Sequence, residues 1–412
     1  MEIFRSLQYP NFRLHTIGQS LSLLGTWMQR LAISWLVYKL TDSIFLLGFV
    51  SFISLLPSLV LSPFIGSFID KRPKYKLVFN TQILLMIQAG LLTLLVFFGK
   101  ESVVWLSALG FLQGVINAFD VLGRQALLVS LVDGKKDLSN AIALNSSVFN
   151  AARMVGPAIG GILLSTYGEL VCFFINFLSF IPVITTLLLM RVKEEPNTGL
   201  SGTSNWRGLV DGFDYLKRSP HIASLIVIMA FSSLFVIPYT SLLPAVARDL
   251  FLGDETTFSW FESAAGLGAM IGAVNMARLK SGENLRYRVL FAALMMGVSL
   301  ILLAFSHFLL SALIFTVCVA FAMMMQNSSI NTYIQTHALP AYRARIMSYY
   351  VMAFQGIFPI GSLLIGGIAE MMGIKATLYF MGSIGVMISV AYYTYLRLHI
   401  HRRLFKTRSS GA

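Results

Sequence analysis

The sequence has little charge and almost no cysteine. Charged residues make up 12% of its 412 residues, against roughly a quarter in ordinary soluble proteins. Hydrophobic residues make up 56%, and the mean hydropathy is +0.75. A soluble domain of this size could not cover so much apolar surface with polar groups, which excludes a soluble enzyme and a disordered chain. The two cysteines, Cys172 and Cys318, lie in apolar runs and offer neither a disulfide framework nor a metal-ligand spacing.

Several kinds of chemical site are also missing. The sequence has no Gly-x4-Gly-Lys-Ser/Thr loop to hold nucleotide phosphates, so ATP is not expected as the energy source. It has no histidine cluster for a metal and no nucleophile–base pair in its apolar runs, so we predict no enzyme activity, metal or cofactor. Long apolar runs dominate instead, and they indicate a membrane protein with many spans.

Twelve apolar stretches are long enough for spanning helices, because a span needs about 20 mostly apolar residues. They are too long for barrel strands and do not alternate. The predicted spans are 14–38, 44–69, 76–98, 103–123, 139–165, 168–190, 221–247, 257–279, 287–306, 308–333, 345–371 and 374–396.

The basic residues predict the orientation of these spans. With the N-terminus in the cytoplasm, 25 of the 31 lysines and arginines fall in predicted inside segments and 4 in outside segments, while Arg30 and Arg153 lie within spans. This asymmetry follows the positive-inside rule and predicts that both termini are cytoplasmic. The net charge of +13 therefore faces anionic lipid, and no nucleic-acid partner is expected.

A polar stretch in the middle of the chain divides the spans six and six. Residues 191–220 read as a cytoplasmic linker, whose second part has the spacing of an amphipathic helix on the membrane face. We predict two six-helix halves, 1–190 and 221–396, and a basic cytoplasmic tail, 397–412. An even number of spans in each half makes the halves parallel repeats, with a binding site near the midplane between them.

The loop after the second span resembles a known family motif. It reads Gly-Ser-Phe-Ile-Asp-Lys-Arg-Pro-Lys-Tyr-Lys from Gly66 to Lys76, which resembles the Gly-x-x-x-Asp-Arg-x-x-Arg-Lys loop of the major facilitator superfamily. We therefore predict a gate or latch, in which Gly66 allows close helix approach. Asp70 can pair there with loop cations such as Lys71 and Lys74 or with a neighbouring helix terminus. Lysine replaces the usual arginine and lacks its bidentate geometry. The alternative is an ordinary basic loop.

The fifth span carries a second such motif. Gly156, Pro157, Gly160 and Gly161 form the pattern Gly-Pro-x-x-Gly-Gly, which resembles the motif of the antiporter branches of the superfamily. The resemblance implies export by antiport. The alternative is a kinked helix whose glycines serve packing alone.

Further phrases along the chain resemble the prokaryotic exporter branch that includes the enterobactin (siderophore) exporter. These phrases are Asn11-Phe12-Arg13, Gly25-Thr-Trp-Met-Gln-Arg30, Asn117-Ala-Phe-Asp120, Arg124-Gln125, Asn140 through Arg153, Arg343-x-Arg345 and Pro359-x-Gly361. The resemblance implies the twelve-helix major facilitator fold in an all-α membrane protein. It also implies that the first and fourth helices of each half line the central cavity.

Polar residues at helical spacing predict which faces line that cavity. Arg30 and Arg153 would suit an anionic substrate such as a carboxylate or catecholate. Alternatively, each arginine pairs with a carboxylate or a helix C-terminus and only holds the bundle together. The predicted cavity residues are Gln19, Thr26, Arg30, Gln113, Asn117, Asn150, Arg153, Asn327 and Asn331.

Three further charged residues have other predicted roles. Asp120 and Arg124 are spaced for an intrahelical pair, and we assign them to the gate with Asp70 rather than to substrate contact. Glu262 is the other carboxylate within a span, and with Asp120 it is a candidate proton carrier. Because Glu262 lies only about 7–8 Å from the start of its helix, exposure at the membrane interface explains it equally well.

These features together predict a secondary active exporter in the bacterial plasma (inner) membrane. It would act as a monomer, bind a small siderophore-like anionic molecule, and use inward proton movement by alternating access. The first alternative is a broad-specificity drug efflux transporter, although the few intramembrane carboxylates do not favour cationic drugs. A sensor or assembly partner without transport activity is the remaining alternative.

Overall fold

The computed structural model describes residues 2–70, 72–132, 134–190, 205–278 and 284–409. These residues contain fifteen α-helices and no strand. A 3₁₀-helix, Glu2–Gln8, precedes them, and two π-helical turns, Val246–Leu250 and Met352–Gly356, interrupt them. The helices are α1 Pro10–Thr41, α2 Ile44–Asp70, α3 Lys74–Phe97, α4 Val103–Val129, α5 Lys135–Tyr167, α6 Glu169–Leu189, α7 Asn205–Arg218, α8 Pro220–Phe235, α9 Tyr239–Ala245, α10 Glu255–Ala277, α11 Leu285–Phe305, α12 Leu309–His337, α13 Pro340–Val351, α14 Ile357–Met372 and α15 Ile374–Ser409.

Short breaks with the expected turn chemistry separate the long helices. Gly168 alone separates α5 from α6, and its φ of +78° is a conformation that glycine adopts without steric cost. Gly373, also at +78°, plays the same part between α14 and α15. Such a short connection between α5 and α6 is typical of an antiparallel helix pair.

Ten helical segments in the described residues are long and apolar enough to cross a membrane. The two predicted spans without such a segment, 14–38 and 257–279, correspond to α1 and α10, which are 32 and 23 residues long. Both are long enough but more polar, because α1 carries Gln19, Gln29 and Arg30 and α10 carries Glu262. The count of twelve stays a prediction, and both of these helices contribute to the candidate site.

Two predicted spans are not continuous α-helices. The stretch 221–247 consists of α8, a turn at 236–238, α9 and the start of a π turn, and proline at 238 explains the break. The stretch 345–371 is interrupted by the π turn Met352–Gly356. Both stretches are nevertheless long and apolar enough to span a membrane, as predicted. Hydropathy does not report such irregularities. π-Helical turns often occur at functional positions.

The chain forms two compact units. Unit 1 comprises Met1–Asn205, Thr240–Gly266 and Ser362–Ile374, so two segments from the second half of the sequence pack within it. Unit 2 comprises Trp206–Tyr239, Leu267–Gly361 and Lys375–Ala412. Of the predicted linker, residues 191–204 lie outside the described part, and α7 follows them. The division into 1–190 and 221–396 stays a prediction.

Each unit has its own apolar core. In unit 1, Phe12, Val78, Leu127 and Phe180 come from α1, α3, α4 and α6 and are almost fully buried. Small residues allow these helices to approach: a Cβ added to Gly25 would lie 2.6 Å from the Oδ1 atom of Asn176 in α6. In a membrane, such close van der Waals packing replaces the hydrophobic effect as the main source of helix association.

The core of unit 2 is built in the same way. Leu225 of α8, Val289 of α11, Ile330 of α12 and Ile346 of α13 are all fully buried in one cluster. Helix α7 joins this unit through an ion pair of 2.9 Å between Asp211 and Arg345.

Candidate functional site

Two arginines from different helices lie beside one tryptophan in unit 1. The guanidinium carbon of Arg30, on α1, is 5.2 Å from the centre of the Trp27 ring. The guanidinium carbon of Arg153, on α5, is 5.6 Å from the same ring. Both distances fall within the range of cation–π attraction. The two cations are therefore no farther apart than the sum of these distances, although 123 residues separate them in the sequence.

Glu262 of α10 brings a negative charge to this pair. Its carboxylate interacts electrostatically with both Arg30 and Arg153. No ion pair within 4.0 Å joins it to either arginine in the described part of the chain. We call Trp27, Arg30, Arg153 and Glu262 the Trp27 cluster. The structure thus brings together three charged groups that the sequence placed separately on three spans.

The side chains of the Trp27 cluster are accessible to different degrees. Trp27 is buried, with its ring edge-to-face to Phe149 at 5.7 Å. Arg30 is exposed, and Arg153 and Glu262 are half-buried. A charged side chain inside a span faces the bundle interior or a water-filled cavity rather than lipid. The charged groups of the cluster are therefore accessible to a polar solute, while the buried Trp27 ring holds the two arginines in place.

A buried amide network fixes the rotation of α1 behind the cluster. The side-chain amide of Gln29 donates to Gln88 at 3.2 Å and accepts from Asn176 at 2.7 Å. All three side chains are at most 1% exposed. Leaving one of these buried amides unpaired would cost about 1–3 kcal/mol. Because Gln29 faces α3 and α6, its neighbour Arg30 is turned away from them.

The glycines of the predicted antiporter motif pack α5 against two helices. A Cβ on Gly156 would lie 2.7 Å from the Cβ of Trp27, and one on Gly160 would lie 3.1 Å from the Cγ of Met28. A Cβ on Gly161 would overlap Ser259 of α10. The motif therefore brings α1 and α10 against α5, which places Arg30 and Glu262 beside Arg153.

The other predicted cavity residues of unit 1 are dispersed along their helices. Gln19 is buried, and its Oε1 atom has no hydrogen-bond partner among the described residues. The Thr26 hydroxyl donates to the Ser22 carbonyl of its own helix at 2.8 Å, and Asn150 likewise donates to the Ser146 carbonyl at 2.9 Å. Half-buried side chains of α4 complete this set, namely Gln113 and Asn117.

The predicted cavity residues of α12 belong to unit 2. The Oδ1 atom of Asn327 is buried with no hydrogen-bond partner among the described residues, and its backbone carbonyl accepts from the Tyr350 hydroxyl at 3.2 Å. The Oδ1 atom of Asn331 accepts from Gln335 at 2.5 Å. These amides offer polar groups for a ligand within unit 2.

Asp120 is the centre of a separate buried cluster. It is fully buried, and one carboxylate oxygen accepts from the Thr81 hydroxyl and from the Gln82 amide, both at 2.7 Å. Its other oxygen forms an ion pair with Arg124, as the i, i+4 spacing suggested. With both oxygens occupied, Asp120 fits a structural or gating role better than that of a mobile proton carrier.

The structure describes only some of the remaining latch residues. Lys74 is half-buried in the first turn of α3. Lys71 lies outside the described residues, as do the side-chain surroundings of Gly66 and Asp70 at the end of α2. The latch at this loop therefore stays a prediction.

Sequence reasoning missed three groups of residues. Trp27 lay in a quoted motif without a role, although its position three residues before Arg30 places both on one helix face. His15 is buried close to Arg124, and its Nδ1 atom has no hydrogen-bond partner among the described residues. The third group joins the end of α1 and the start of α2 to segments from the second half of the chain.

This third group consists of polar contacts within unit 1. The Tyr38 hydroxyl donates to Asp249 at 2.7 Å, and Asp42 forms an ion pair with Arg248. Glu370 of α14 accepts from the backbone N–H groups of Ile44 and Phe45, at 2.7 and 3.1 Å, and so caps α2.

Helix α10 also has a local cap. Asp254 accepts from the backbone N–H and the hydroxyl of Thr257, at 3.0 and 3.1 Å. The hydrogen bond from the Thr257 N–H lowers the pKa of Asp254 below its usual value. The cap fixes the start of α10, two turns before Glu262.

Solved structures show which class of protein has this fold. A bacterial homologue of the human lysosomal transporter Spinster matches with a TM-score of 0.74 and 13% identity, over 94% of this chain and 97% of that one. A bacterial homologue of the iron transporter ferroportin matches with a TM-score of 0.71 and 18% identity, over 93% and 98%. The chain therefore shares its fold with these transporters along nearly its whole length.

A family model then matches almost the whole chain. It is described as "Transmembrane secretion effector" and matches residues 3–407. The chain therefore belongs to this family of the major facilitator superfamily, whose members are transporters and not enzymes. It is a multi-pass membrane protein, and the predicted membership of an exporter branch is confirmed.

Curated relatives are similar to the chain along most of their length. The staphyloferrin A transporter of Staphylococcus aureus is 25% identical over 90% of this chain and 92% of its own. Macrolide efflux protein A of Streptococcus pyogenes is 23% identical over 93% and 96%, and the multidrug efflux pump Tap of Mycolicibacterium fortuitum is 23% identical over 86% and 88%. These relatives support an efflux transporter of small molecules.

Proposed function

We propose that this transporter exports a small anionic, siderophore-like metabolite from the cytoplasm and takes inward proton movement as its driving force. The observation that carries the proposal is the pair of guanidinium groups, Arg30 and Arg153, within 5.6 Å of the Trp27 ring. A relative named as a staphyloferrin A transporter, a siderophore transporter, supports the substrate class.

The Trp27 cluster has the chemistry to bind a ligand with more than one acidic oxygen. Arginine binds carboxylates through two parallel hydrogen bonds, and two arginines side by side can hold two such groups. With Glu262 ionised, the three charged groups leave a net charge of one positive unit. The attraction of this charge for an anion is stronger away from bulk water. The face of Trp27 adds a surface for a planar or apolar part of the ligand.

Glu262 is the better of the two predicted proton carriers. It is half-buried beside two arginines, whereas Asp120 is fully buried and hydrogen-bonded at both oxygens. The membrane potential assists this direction of transport, because an anion leaving and a proton entering both move positive charge inward. Each elementary charge gains about 2.3 kcal/mol per 100 mV.

The proposal includes an orientation in the membrane. Both termini would face the cytoplasm of a bacterium across its plasma membrane, because 25 of the 31 basic residues fall in the segments that this orientation places inside. The predicted latch at Gly66, Asp70, Lys71 and Lys74 and the Asp120–Arg124 pair would then lie toward the cytoplasm. The protein would work as a monomer in the lipid bilayer.

Broad-specificity drug efflux is the second candidate. It is favoured by relatives named as macrolide and multidrug efflux proteins and by the aromatic pair Trp27–Phe149. The charge of the substrate separates the two candidates: removal of Arg30 would weaken the export of an anion and leave the export of a cationic drug unchanged or improved. A sensor without transport activity would show neither effect.

The test compares cells with and without the gene under iron limitation, with mass spectrometry of small molecules in medium and cell pellet. We expect an iron-binding anion to decrease in the medium and accumulate in the cells when the gene is deleted. Arg30→Ala and Arg153→Ala should reproduce the deletion.

Arg13→Ala is the matched control, since Arg13 is exposed on the same helix about 21 Å from Trp27. Deletion of the gene could instead leave the metabolites unchanged and increase susceptibility to uncharged or cationic drugs. That result would contradict an anionic substrate and support broad-specificity drug efflux.

A further inference from the structure

Pro157 leaves a backbone carbonyl without its normal partner at the Trp27 cluster. Proline has no N–H, so residue 157 cannot donate to the carbonyl four residues earlier in α5. That carbonyl belongs to Arg153, whose guanidinium group lies beside Trp27. Arg153 therefore carries both a guanidinium cation and a backbone carbonyl oxygen that receives no i, i+4 hydrogen bond.

Helix α10 passes directly over this carbonyl. A Cβ added to Gly266 would lie 2.9 Å from the Arg153 carbonyl oxygen and 2.6 Å from the Cα of Met154. The second close contact between these helices joins Gly161 to Ser259. The contact that comes first along α5, at Arg153 and Met154, comes second along α10, at Gly266. Helix α10 therefore runs antiparallel to α5, with two helical turns between the contacts.

Glu262 lies on α10 between the two contacts. It follows Ser259 by three residues and precedes Gly266 by four, and residues at these spacings share one helix face. Helical carbonyls point toward the C-terminal end of their helix. The Arg153 carbonyl therefore points along α5 from the level of Gly266 toward that of Gly161, in the direction of Glu262.

We propose that the protonated carboxyl group of Glu262 donates a hydrogen bond to the Arg153 carbonyl that Pro157 leaves open, and that this bond stabilises the packing of α10 on α5. In this role Pro157 is a positioning residue for the proton carrier. The inference rests on the proposed function, in which Glu262 carries the proton.

The charges in the Trp27 cluster explain why protonation of Glu262 should act on helix packing. Among the described residues, the charged groups that face Glu262 are Arg30 from α1 and Arg153 from α5. Protonation of Glu262 raises the net positive charge and by itself favours binding of an anion, whereas antiport needs the proton and the substrate to alternate. A hydrogen bond between helices lets the proton act on conformation instead, because a carbonyl accepts from the acid and repels the carboxylate.

The experiment observes protonation of Glu262 directly in the purified full-length protein in nanodiscs. Infrared difference spectra between acid and neutral pH should contain a carboxylic C=O band that Glu262→Gln removes. In Pro157→Ala, the new N–H competes for the Arg153 carbonyl. We expect the band to move to higher frequency and its midpoint to move to lower pH, by about a fivefold weaker proton affinity, the usual size of one hydrogen bond.

Two further variants make the test specific. Gly266→Ala should displace α10 from the same carbonyl and change the band in the same direction, and it serves if Pro157→Ala fails to fold. Pro182→Ala removes a proline from the interior of α6, where the next residue, Val183, packs against Gly18, nine residues before Trp27. This variant should leave band and midpoint unchanged. If neither Pro157→Ala nor Gly266→Ala alters the Glu262 band, the inference is wrong.

Proton flux distinguishes this inference from the proposed function. Proteoliposomes loaded with citrate, as a tricarboxylate probe, are exposed to a pH gradient. Abolished proton flux in Glu262→Gln with a band insensitive to Pro157 would overturn the inference and retain the proton carrier. A Pro157-sensitive band with unchanged flux in Glu262→Gln would retain the hydrogen bond and overturn the role of Glu262 in coupling.

Discussion

The hydroxyl of Tyr38, in the last turn of α1, donates to both carboxylate oxygens of Asp249, at 2.7 and 2.8 Å. Tyr38 is 3% exposed, whereas the neighbouring ion pair between Asp42 and Arg248 is largely exposed. Arg248 also lies 5.4 Å from the centre of the Tyr38 ring. Because Arg248 and Asp249 follow each other in a π-helical turn, one short segment of the second sequence half holds the end of α1 twice.

We expect the Asp42–Arg248 pair to help keep this end of unit 1 closed. Asp42→Arg and Arg248→Asp should each place like charges together, while the double exchange should restore the attraction. The readout is labelling of Ser43→Cys by a membrane-impermeant maleimide, in a background with Cys172 and Cys318 replaced by serine. An exposed pair contributes about 0.2–1 kcal/mol, so labelling should be roughly two- to fivefold faster in the single variants. Equal rates in single and double variants would contradict this role.

Glu370 should stabilise the start of α2 through its hydrogen bonds to the Ile44 and Phe45 N–H groups. Loss of such a cap costs about 1 kcal/mol. Glu370→Ala should therefore lower the thermal unfolding midpoint more than Glu370→Gln, which keeps an acceptor oxygen but loses the charge at the positive helix end. Glu101→Gln is the control for charge removal at another helix start. Identical midpoints for both Glu370 variants and the wild type would show that the cap contributes nothing.

The sequence alone allowed the prediction of the fold but not of the cluster. Apolar run lengths suffice to predict the helices, because a segment that spans lipid must satisfy its own backbone hydrogen bonds. The loop charges predict an orientation in the same way, and that orientation stays a prediction. The proximity of Arg30 to Arg153 depends on the rotation of α1 and α5 about their axes. That rotation is set by contacts distant in sequence, such as Gln29 with Asn176 and Gly156 with Trp27, which no local pattern reports.

The role of Glu262 also could not be predicted from the sequence. From the sequence, interfacial exposure and proton transfer explained its position equally well, since depth along a helix does not reveal the neighbouring charges. The structure adds Arg30 and Arg153 as those neighbours. Similarly, no local pattern pairs Arg248 with Asp42, because the two residues are 206 positions apart in the sequence.

Arginine geometry at the Trp27 cluster should matter beyond charge. Hydrogen bonds to charged groups contribute about 1.5–3 kcal/mol, so Arg30→Ala should raise the KM for an anionic substrate roughly tenfold to a hundredfold. Arg30→Lys keeps the charge but loses the paired donors and should fall between alanine and wild type. Trp27→Phe should give a smaller increase, because phenylalanine is a weaker cation–π partner than tryptophan. The measurement is KM from initial export rates, and an Arg30→Lys value equal to that of the wild type would contradict bidentate binding.

Gly161 of α5 and Gly367 of α14 should respond differently to alanine. A Cβ on Gly161 would overlap Ser259, whereas one on Gly367 would meet only the Phe45 ring at 3.7 Å, an ordinary contact. We therefore expect Gly161→Ala to slow transport and lower the unfolding midpoint, at a cost of about 1–3 kcal/mol for overpacking, and Gly367→Ala to be nearly neutral. Ser259→Gly should partly rescue Gly161→Ala. Equal effects at positions 161 and 367 would show that the close passage of α5 and α10 is not required.

The cap of α10 predicts a pH dependence of stability. The Thr257 N–H holds the pKa of Asp254 below its value in the unfolded chain, so the folded state binds fewer protons here. The cap therefore stabilises the fold at pH values above the unfolded pKa, and this contribution is lost as the pH falls through the lowered pKa. Asp254 is largely exposed, so solvent screening keeps the effect small. Asp254→Asn retains a good cap without the charge. We expect the difference in unfolding midpoint between wild type and Asp254→Asn to be largest near neutral pH and to disappear in acid, and a difference independent of pH would contradict the assignment.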